Sequence, residues 1–569
     1  MIRSQMIASR TEVVAENGVV AGGHELEAQA GVRVMQEGGN AVDALVAAAF
    51  MGFVVEPGSC GIGGYGRLSI FLEERQEFIT IDHYVRAPLK AHRHMFELDT
   101  DTPWHYYGHP KTKGLQAEEG YLSPAVPGAV AGLCQAHDLF GKLPLAQVLA
   151  PAIEVAEAGL PVSWELAQSI AQLRLDREKY RHLADFLLPN GQIPHFNSPW
   201  SAAERLDTRD LANTLRLIAQ NGAAGFYSGP IAEAIEREVT AHGGILSAAD
   251  LAAYRPKLMR EKPADYRNRA YTTAYDQVGY ETLNILAHFD LAGFGPDSVA
   301  YRHLVAEALG HAFMDNKVHY GDPEFVSSPV NGLTSPAFAA ARAAQIRLDQ
   351  AATRPIAAGN PWPFEDTALA PDMLPASPTI ANIAGTSQMA TADKEGNFCA
   401  LITSISSSFG CRVMVPGTGI ILNNSMQNFD PRPEHPNCIQ PGKMPIFAAP
   451  SLVAAQNGRG QFAAGGSGGY RIMTGVLHTF LNAVDHGMGI QAAIDAPRVH
   501  NQGQETIVDR RIPAHIRQRL AAMGHDIVVA EDNPGSTNFG RIAAVWRDHH
   551  SGLFHAGTGP AWRSAAAGY

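Results

Sequence analysis

The run TSQMATADKEGNFCALITSIS, Thr386 to Ser406, decides how this chain is read. Thr386–Ala392 and Phe398–Ser406 carry strand-forming residues, and Asp393-Lys394-Glu395-Gly396-Asn397 between them includes residues that tolerate positive φ. A hairpin loop over 393–397 sets Ala392 opposite Phe398, and the same register sets Thr386 opposite Ser404. Period-two alternation places Ser406 on the face of Ser404, so the spacing predicts hydroxyls gathered at one strand end. Two readings stand open here: an edge hairpin turning polar side chains to water, or a strand end presenting a nucleophile.

Immediately upstream is Gly385, a residue that permits close approach to its carbonyl carbon. A threonine hydroxyl there can attack that carbonyl. Hydrolysis of the resulting ester frees an N-terminal threonine whose α-amine is its own base. Between about 350 and 378 the chain holds Pro355, Pro361, Pro363, Pro371, Pro375 and Pro378, which reads as an exposed, poorly structured linker. Before the linker the patterns are helical. His24–Gln36 is amphipathic and stops at Gly38-Gly39, Asn40 caps the next helix with Asp43 in its first turn, and Ala41–Val55 is apolar all round and predicted buried. Further helical patterns run over about 128–160, 164–180, 210–241 and 298–317. After the linker they give way to strands and glycine-rich turns.

Composition excludes several classes. The 569 residues are 46% apolar and 18% charged, a globular composition whose length alone suggests three or four domains. Lys plus Arg number 44 against 56 Asp plus Glu, giving a net charge of −12. Nucleic acid and anionic membrane are thus not expected as partners. The first residues lack a signal-peptide pattern and no apolar run is long enough to span a bilayer, so a cytoplasmic location is expected. Cys60, Cys134, Cys399, Cys411 and Cys438 show no CxxC spacing and indicate neither a disulfide framework nor a structural zinc site.

The stretches GGNAVDA (38–44), VEPGSCGIGGYG (55–66), VPGAVAG (126–132), GDPEFV (321–326), TSQMATADKEGN (386–397), GIILNNSMQNF (419–429), GGSGGYRI (465–472) and the final GY resemble, in this order, the γ-glutamyltransferase (γ-glutamyltranspeptidase) family of N-terminal-nucleophile hydrolases. The resemblance implies an α+β fold, a four-layer αββα sandwich with two stacked antiparallel sheets. It implies a precursor that cuts itself before Thr386, giving a large subunit, 1–385, and a small one, 386–569, that stay associated as one fold. By the same resemblance Thr386 is the nucleophile, Ser404 the hydroxyl beside it, and Gly468 and Gly469 the paired oxyanion-hole amides. No metal or organic cofactor is implied. The expected activity is amide hydrolysis or acyl transfer through an acyl-enzyme, on a small-molecule amide.

The substrate-binding positions depart from the family pattern. Where the family carries an arginine for the substrate α-carboxylate, the run Asp82-His83-Tyr84-Val85-Arg86-Ala87-Pro88 has Tyr84, with Arg86 two places on. Arg86 either reaches the same carboxylate or lies on the surface. The family's acidic residue for the α-amino group becomes Asn428, which removes the Coulombic partner of an ammonium. Ser425 replaces a longer polar side chain, Phe447-Ala448 replaces a serine pair, and Ser406 completes the expected substrate-binding set. Cephalosporin or glutaryl acylases and oxamate-type amidohydrolases are therefore the alternatives to γ-glutamyl transfer.

Other motifs compete. Gly61–Gly66 matches GxGxxG, yet the residues after it read as a strand where a dinucleotide site requires a helix. Gly465-Gly466-Ser467-Gly468-Gly469 matches GxSxG, and a Ser467 hydrolase would draw on Asp495 with His500 or Asp509 with His525. A non-catalytic binding protein on the same fold is the remaining alternative.

Overall fold

The structure is a computed structural model that describes residues 9–99, 101, 105, 108–198, 200–365, 385–446, 450–532, 538–560 and 563–569. The strands that matter, in chain order, are β1 (Val13–Ala15), β2 (Gly18–Gly22), β3 (Tyr65–Leu72), β4 (Glu77–His83), β5 (Lys257–Glu261), β6 (Ala264–Asp265) and β7 (Ala270–Thr272). They continue as β8 (Gly385–Asp393), β9 (Phe398–Ser406), β10 (Leu452–Gln456), β11 (Arg459–Ser467), β12 (Arg541–Arg547), β13 (Phe554–Thr558) and β14 (Ala565–Gly568). One seven-stranded sheet has the order β14-β2-β8-β9-β3-β4-β5 and the other β1-β13-β12-β11-β10-β7-β6. Both contain strands from either side of the Gly385–Thr386 bond, so the length does not divide there into independent folds.

Alternation along the strands separates the layers. Val19, Ala21, Phe71, Ala390, Ala392, Phe398 and Ala400 face Val453, Ala463, Ala543 and Val545 across the gap between the sheets. Their neighbours Val20, Met389, Cys399 and Leu401 face the opposite way, into a core shared with the helices α1 (Glu25–Gln36), α2 (Ala41–Val55) and α3 (Ala129–Phe140). The second sheet is covered by α4 (Val299–His319) and α5 (Arg471–Val484) among other helices. The result is the four-layer αββα sandwich. Small side chains let the sheets approach closely: a Cβ on Gly465 of β11 would stand 2.5 Å from the Leu401 carbonyl oxygen of β9.

Local sequence explains the central elements. Asn40 and Asp43 form a reciprocal capping box at the start of α2, whose residues are all buried. The α2 start is fixed to the hairpin loop, because Asp393 Oδ2 accepts from Ala41 N–H at 2.8 Å. Asp393 also organises its own turn, accepting from the amides of Glu395 and Asn397, while Gly396 takes φ +85°.

Two expectations need correction. The hairpin is not an edge: β2 pairs with β8 and β3 with β9, and every residue of both hairpin strands is buried. Nor is the proline-rich linker exposed throughout. Ala351 and Ile356 donate to the carbonyls of Met523 and Gly503, and Ile356 and Trp362 are buried. Their apolar side chains and paired amides outweigh the prolines. Residues 366–384, the rest of the expected linker, lie outside the described residues.

Candidate active site

β8 begins at Gly385, and its register is the expected one, Thr386 opposite Ser404, with an irregularity between Gly385 and Thr386 that sets Gly385 against Ser406. Ser406 consequently adopts φ +78°, a left-handed conformation costly for a residue with a Cβ and concentrated at functional sites. Thr386 Oγ1 lies 3.0 Å from Ser404 Oγ. Ser404 Oγ donates to the Gly385 carbonyl oxygen at 2.6 Å and accepts from Ser406 N–H at 2.9 Å. A serine hydroxyl has one proton, and here it goes to the Gly385 carbonyl, so Thr386 Oγ1 donates to Ser404. All three side chains are buried.

The second sheet brings the glycine pair. β11 ends at Ser467, and Gly468 and Gly469 follow with φ +126° and +57°, both in the region that favours glycine, before α5 opens at Arg471. A buried arginine that the sequence reading missed joins the two halves. Arg541 on β12 donates through Nε to Ser467 Oγ at 2.9 Å and through Nη2 to the Thr386 carbonyl oxygen at 3.0 Å. Burial pulls its pKa down, and the carboxylates of Glu56 and Glu27 oppose that shift. Glu27, buried beside Glu56, is pushed well up, first by desolvation and then by its neighbour's charge. The signal for Arg541 was absent locally: it lies 155 positions from Thr386.

Ser467 itself is no nucleophile. Its hydroxyl accepts from Arg541, while His500 engages Thr474 and Gln502, and His525 engages His303 and Thr506. Asp495 receives Gln491, and Asp509 holds Arg511. The GxSxG pattern arises from the close sheet approach at Gly465 and the positive φ of the glycine pair. The GxGxxG run leads into β3, a strand, as its sequence indicated.

Beside the hydroxyls stands a wall of neutral side chains. Ser406 Oγ donates to Asn428 Oδ1 at 3.3 Å, and Asn428 Nδ2 donates to the Tyr84 hydroxyl at 3.1 Å. Gln427, a second residue the sequence reading missed, donates to Ser406 Oγ and Ser407 Oγ. Tyr84 meets the Tyr65 ring edge-on, and the Arg67 guanidinium lies 5.5 Å from its centroid. Arg67 pairs with Asp82, both buried. Arg86 is neither on the surface nor part of this chain of contacts: it is largely buried and lies 3.6 Å from Asp322. Ser425 is buried, and its hydroxyl has no hydrogen-bond partner among the described residues. Phe447 lies outside the described residues.

One group of potential metal ligands occurs among the described residues, His303, Glu307 and His525. His303 Nδ1 and His525 Nε2 are 2.8 Å apart and hydrogen-bonded, and the Arg354 guanidinium sits on both Glu307 and His525. Arg354 reaches His525 through Nδ1, the ring nitrogen turned away from His303, and the cluster ties the segment upstream of residue 366 to α4. No described helix is long and apolar enough to cross a membrane.

The family model for gamma-glutamyltranspeptidase matches residues 28–569. An acylase proenzyme, ACY 1, from Pseudomonas sp. (strain SE83) is 35% identical over 92% of this chain and 89% of its own length. A glutathione hydrolase proenzyme from Bacillus subtilis (strain 168) is 31% identical over 97% of this chain and 92% of its own. Among solved structures, cephalosporin acylase from Bacillus halodurans superposes with a TM-score of 0.84 at 30% identity, covering 100% of this chain and 99% of that one.

Proposed function

This chain belongs to the gamma-glutamyltranspeptidase family of amidohydrolases and acyltransferases, and from that premise we propose that it is cut at Gly385–Thr386 and acts through Thr386 on an amide lacking a free α-amino acid head group. The observation that carries the reading is the Ser404 hydroxyl, held between Thr386 Oγ1 and the Gly385 carbonyl oxygen. In the uncut chain, Thr386 Oγ attacks the Gly385 carbonyl carbon, and Ser404 donates to the oxygen on which charge develops. The proton lost by the Thr386 hydroxyl passes to the amide nitrogen, and the C–N bond breaks to leave the Thr386 amine and an ester. Water then hydrolyses the ester, leaving the Gly385 carboxylate and a free N-terminal threonine. The fragments are 1–385 and 386–569, and the interleaved strands of both sheets keep them together.

In turnover, the freed amine takes the Thr386 hydroxyl proton as Oγ attacks the substrate carbonyl, then returns it to the leaving amine. The Gly468 and Gly469 amides stabilise the tetrahedral oxyanion, a contribution of roughly 3–4 kcal/mol per donor in comparable sites. Water or an amine acceptor resolves the acyl-enzyme. Specificity follows from the wall. Tyr84, Asn428, Ser406 and Ser425 offer neutral hydrogen bonds where an ammonium and an α-carboxylate need opposite charges. An acylase-type substrate is in keeping with the similarity to a cephalosporin acylase and to an acylase proenzyme, and the similarity to a glutathione hydrolase proenzyme keeps a γ-glutamyl amide as the second reading.

The test pairs a denaturing gel with a substrate panel. We expect two fragments and faster turnover of glutaryl or oxamate-type amides than of a γ-glutamyl anilide. An intact chain after long incubation sinks the processing step and favours a binding protein on this fold. A strong γ-glutamyl preference sinks the specificity.

A further inference from the structure

Among the described residues, the buried arginines other than Arg471 each reach at least one acceptor. Arg498 donates to the carbonyls of Phe539, Gly540 and Ile494, and Arg342 engages Asp315 and the Ala357 carbonyl. Arg471 departs from the rule. It is the first residue of α5 and only 7% exposed, yet its guanidinium makes no hydrogen bond or ion pair among the described residues, and its Nε is fully enclosed. It also stands at the positive end of the α5 dipole, where a cation is disfavoured. A second cation stands on the same side, linked through Gln502 and His500 to Thr474, one turn along α5 from Arg471. Half-buried Lys317, near the end of α4, has one long contact, Nζ to the Gln502 carbonyl oxygen at 3.4 Å.

We infer that Arg471 and Lys317 form a binding site for a small oxyanion, a carboxylate or phosphate group, beside the loop that carries Gly468 and Gly469. Two like charges set together where burial strips part of their water, with no acid paired to either, are unfavourable, and a guanidinium fork with an ammonium fits an oxyanion that neutralises both. The other groups facing the pair leave the place open. Glu505 exerts a field on both cations but pairs with neither. His500 is held neutral by burial and by the two cations, and it spends its nitrogens on Thr474 and Gln502. Desolvation lowers Arg471 to about 10 and Lys317 to about 8, the direction an absent anion would reverse. The Arg471 amide donates to the Gly468 carbonyl at 3.1 Å, so an occupant bears directly on the glycine loop. The inference goes beyond the proposed reaction, since binding is measurable without turnover.

The probes are inorganic phosphate and, separately, glutarate, added to processed protein in an anion-poor buffer at constant ionic strength. Each is expected to raise the melting temperature of the wild type by about 2 °C or more once in large excess over its dissociation constant. Arg471→Met and Lys317→Met should lose that rise, and Arg471→Met should melt above the wild type when no anion is present, because an unpaired buried charge has gone. Calorimetric titration of the wild type covers the case in which Arg471→Met does not fold. Kinetics separate the sources of the anion. If it is a substrate carboxylate, Lys317→Met raises KM for a glutaryl amide and spares a butyryl amide. If it is a free anion, phosphate changes kcat for both amides alike. No heat of phosphate or glutarate binding to the wild type, or an equal melting response in the wild type and both variants, overturns the site.

Discussion

The strand end at Thr386 and the wall at Tyr84 and Asn428 adjoin each other through Ser406, yet they are built by different means. Around Thr386 the positions are set by backbone: a strand register, the Gly385 carbonyl, the Ser406 amide and the Thr386 carbonyl held by Arg541. The wall is joined by side-chain hydrogen bonds, in the sequence Gln427, Ser406, Asn428, Tyr84, at 3.1 to 3.3 Å. A register cannot shift by one residue without turning every side chain to the other face. A side-chain contact can be exchanged for another at small cost. On the proposed reading, the bond-breaking groups can therefore stay put while the recognition surface is rewritten, the hydroxyls following the family resemblance of the sequence and the wall departing from it.

The sharpest way to break the comparison is to remove the proposed nucleophile. Thr386→Ala should leave a single uncut chain on a denaturing gel and lower amide turnover by at least about 10³-fold, because one hydroxyl serves both reactions. Asn428→Ala should still cut normally. A cut Thr386→Ala chain, or an uncut Asn428→Ala chain, would mean that the two regions are not separate.

The same division governs what the sequence revealed. The Asn40 cap with Asp43 in the first turn, the buried α2 and the Thr386–Ser404 pairing were legible, because each depends on residues a few positions apart or on a period of two. Arg541 was not legible, since nothing near it in sequence indicates that it reaches Thr386 and Ser467 from another strand. Gln427 was passed over because its partner Ser406 lies 21 positions away and bends out of the strand at positive φ. The proline count misled about Ile356 and Trp362, where tertiary burial overrides a local preference for open chain. Arg86 was read from its nearness to a motif position, but its direction is set by Asp322, far along the chain.

Arg541 tests whether backbone fixation matters after cleavage. It is a positioning residue, since it touches the Thr386 carbonyl and Ser467 but neither reacting atom. Arg541→Met should lower kcat by about 10–100-fold with KM changed less, because the nucleophile and the glycine loop lose their common anchor while the wall is untouched. Arg541→Lys should recover only part, as a single ammonium cannot reproduce a fork that spans two oxygens. Equal losses in the two variants, or a change in KM alone, would place the role of Arg541 in folding and not in alignment.

The smallest expected effect lies in the wall. Asn428→Asp restores a carboxylate without altering volume, and its surroundings can accept one. Ser406 Oγ already donates to Oδ1, and the Tyr84 hydroxyl, now an acceptor from Nδ2, can rotate its proton to donate instead. The Arg67 guanidinium over the Tyr84 ring adds a favourable field, although Asp82 takes most of it. An ammonium paired with a carboxylate gains about 1–1.4 kcal/mol over a neutral hydrogen bond, so the ratio of γ-glutamyl to glutaryl anilide turnover should rise roughly 5–10-fold. The change should appear in KM, with cutting at Gly385–Thr386 unaffected. An unchanged ratio would place the α-amino end of the substrate away from Asn428 and move the search for specificity to Ser425 and the residues around Phe447.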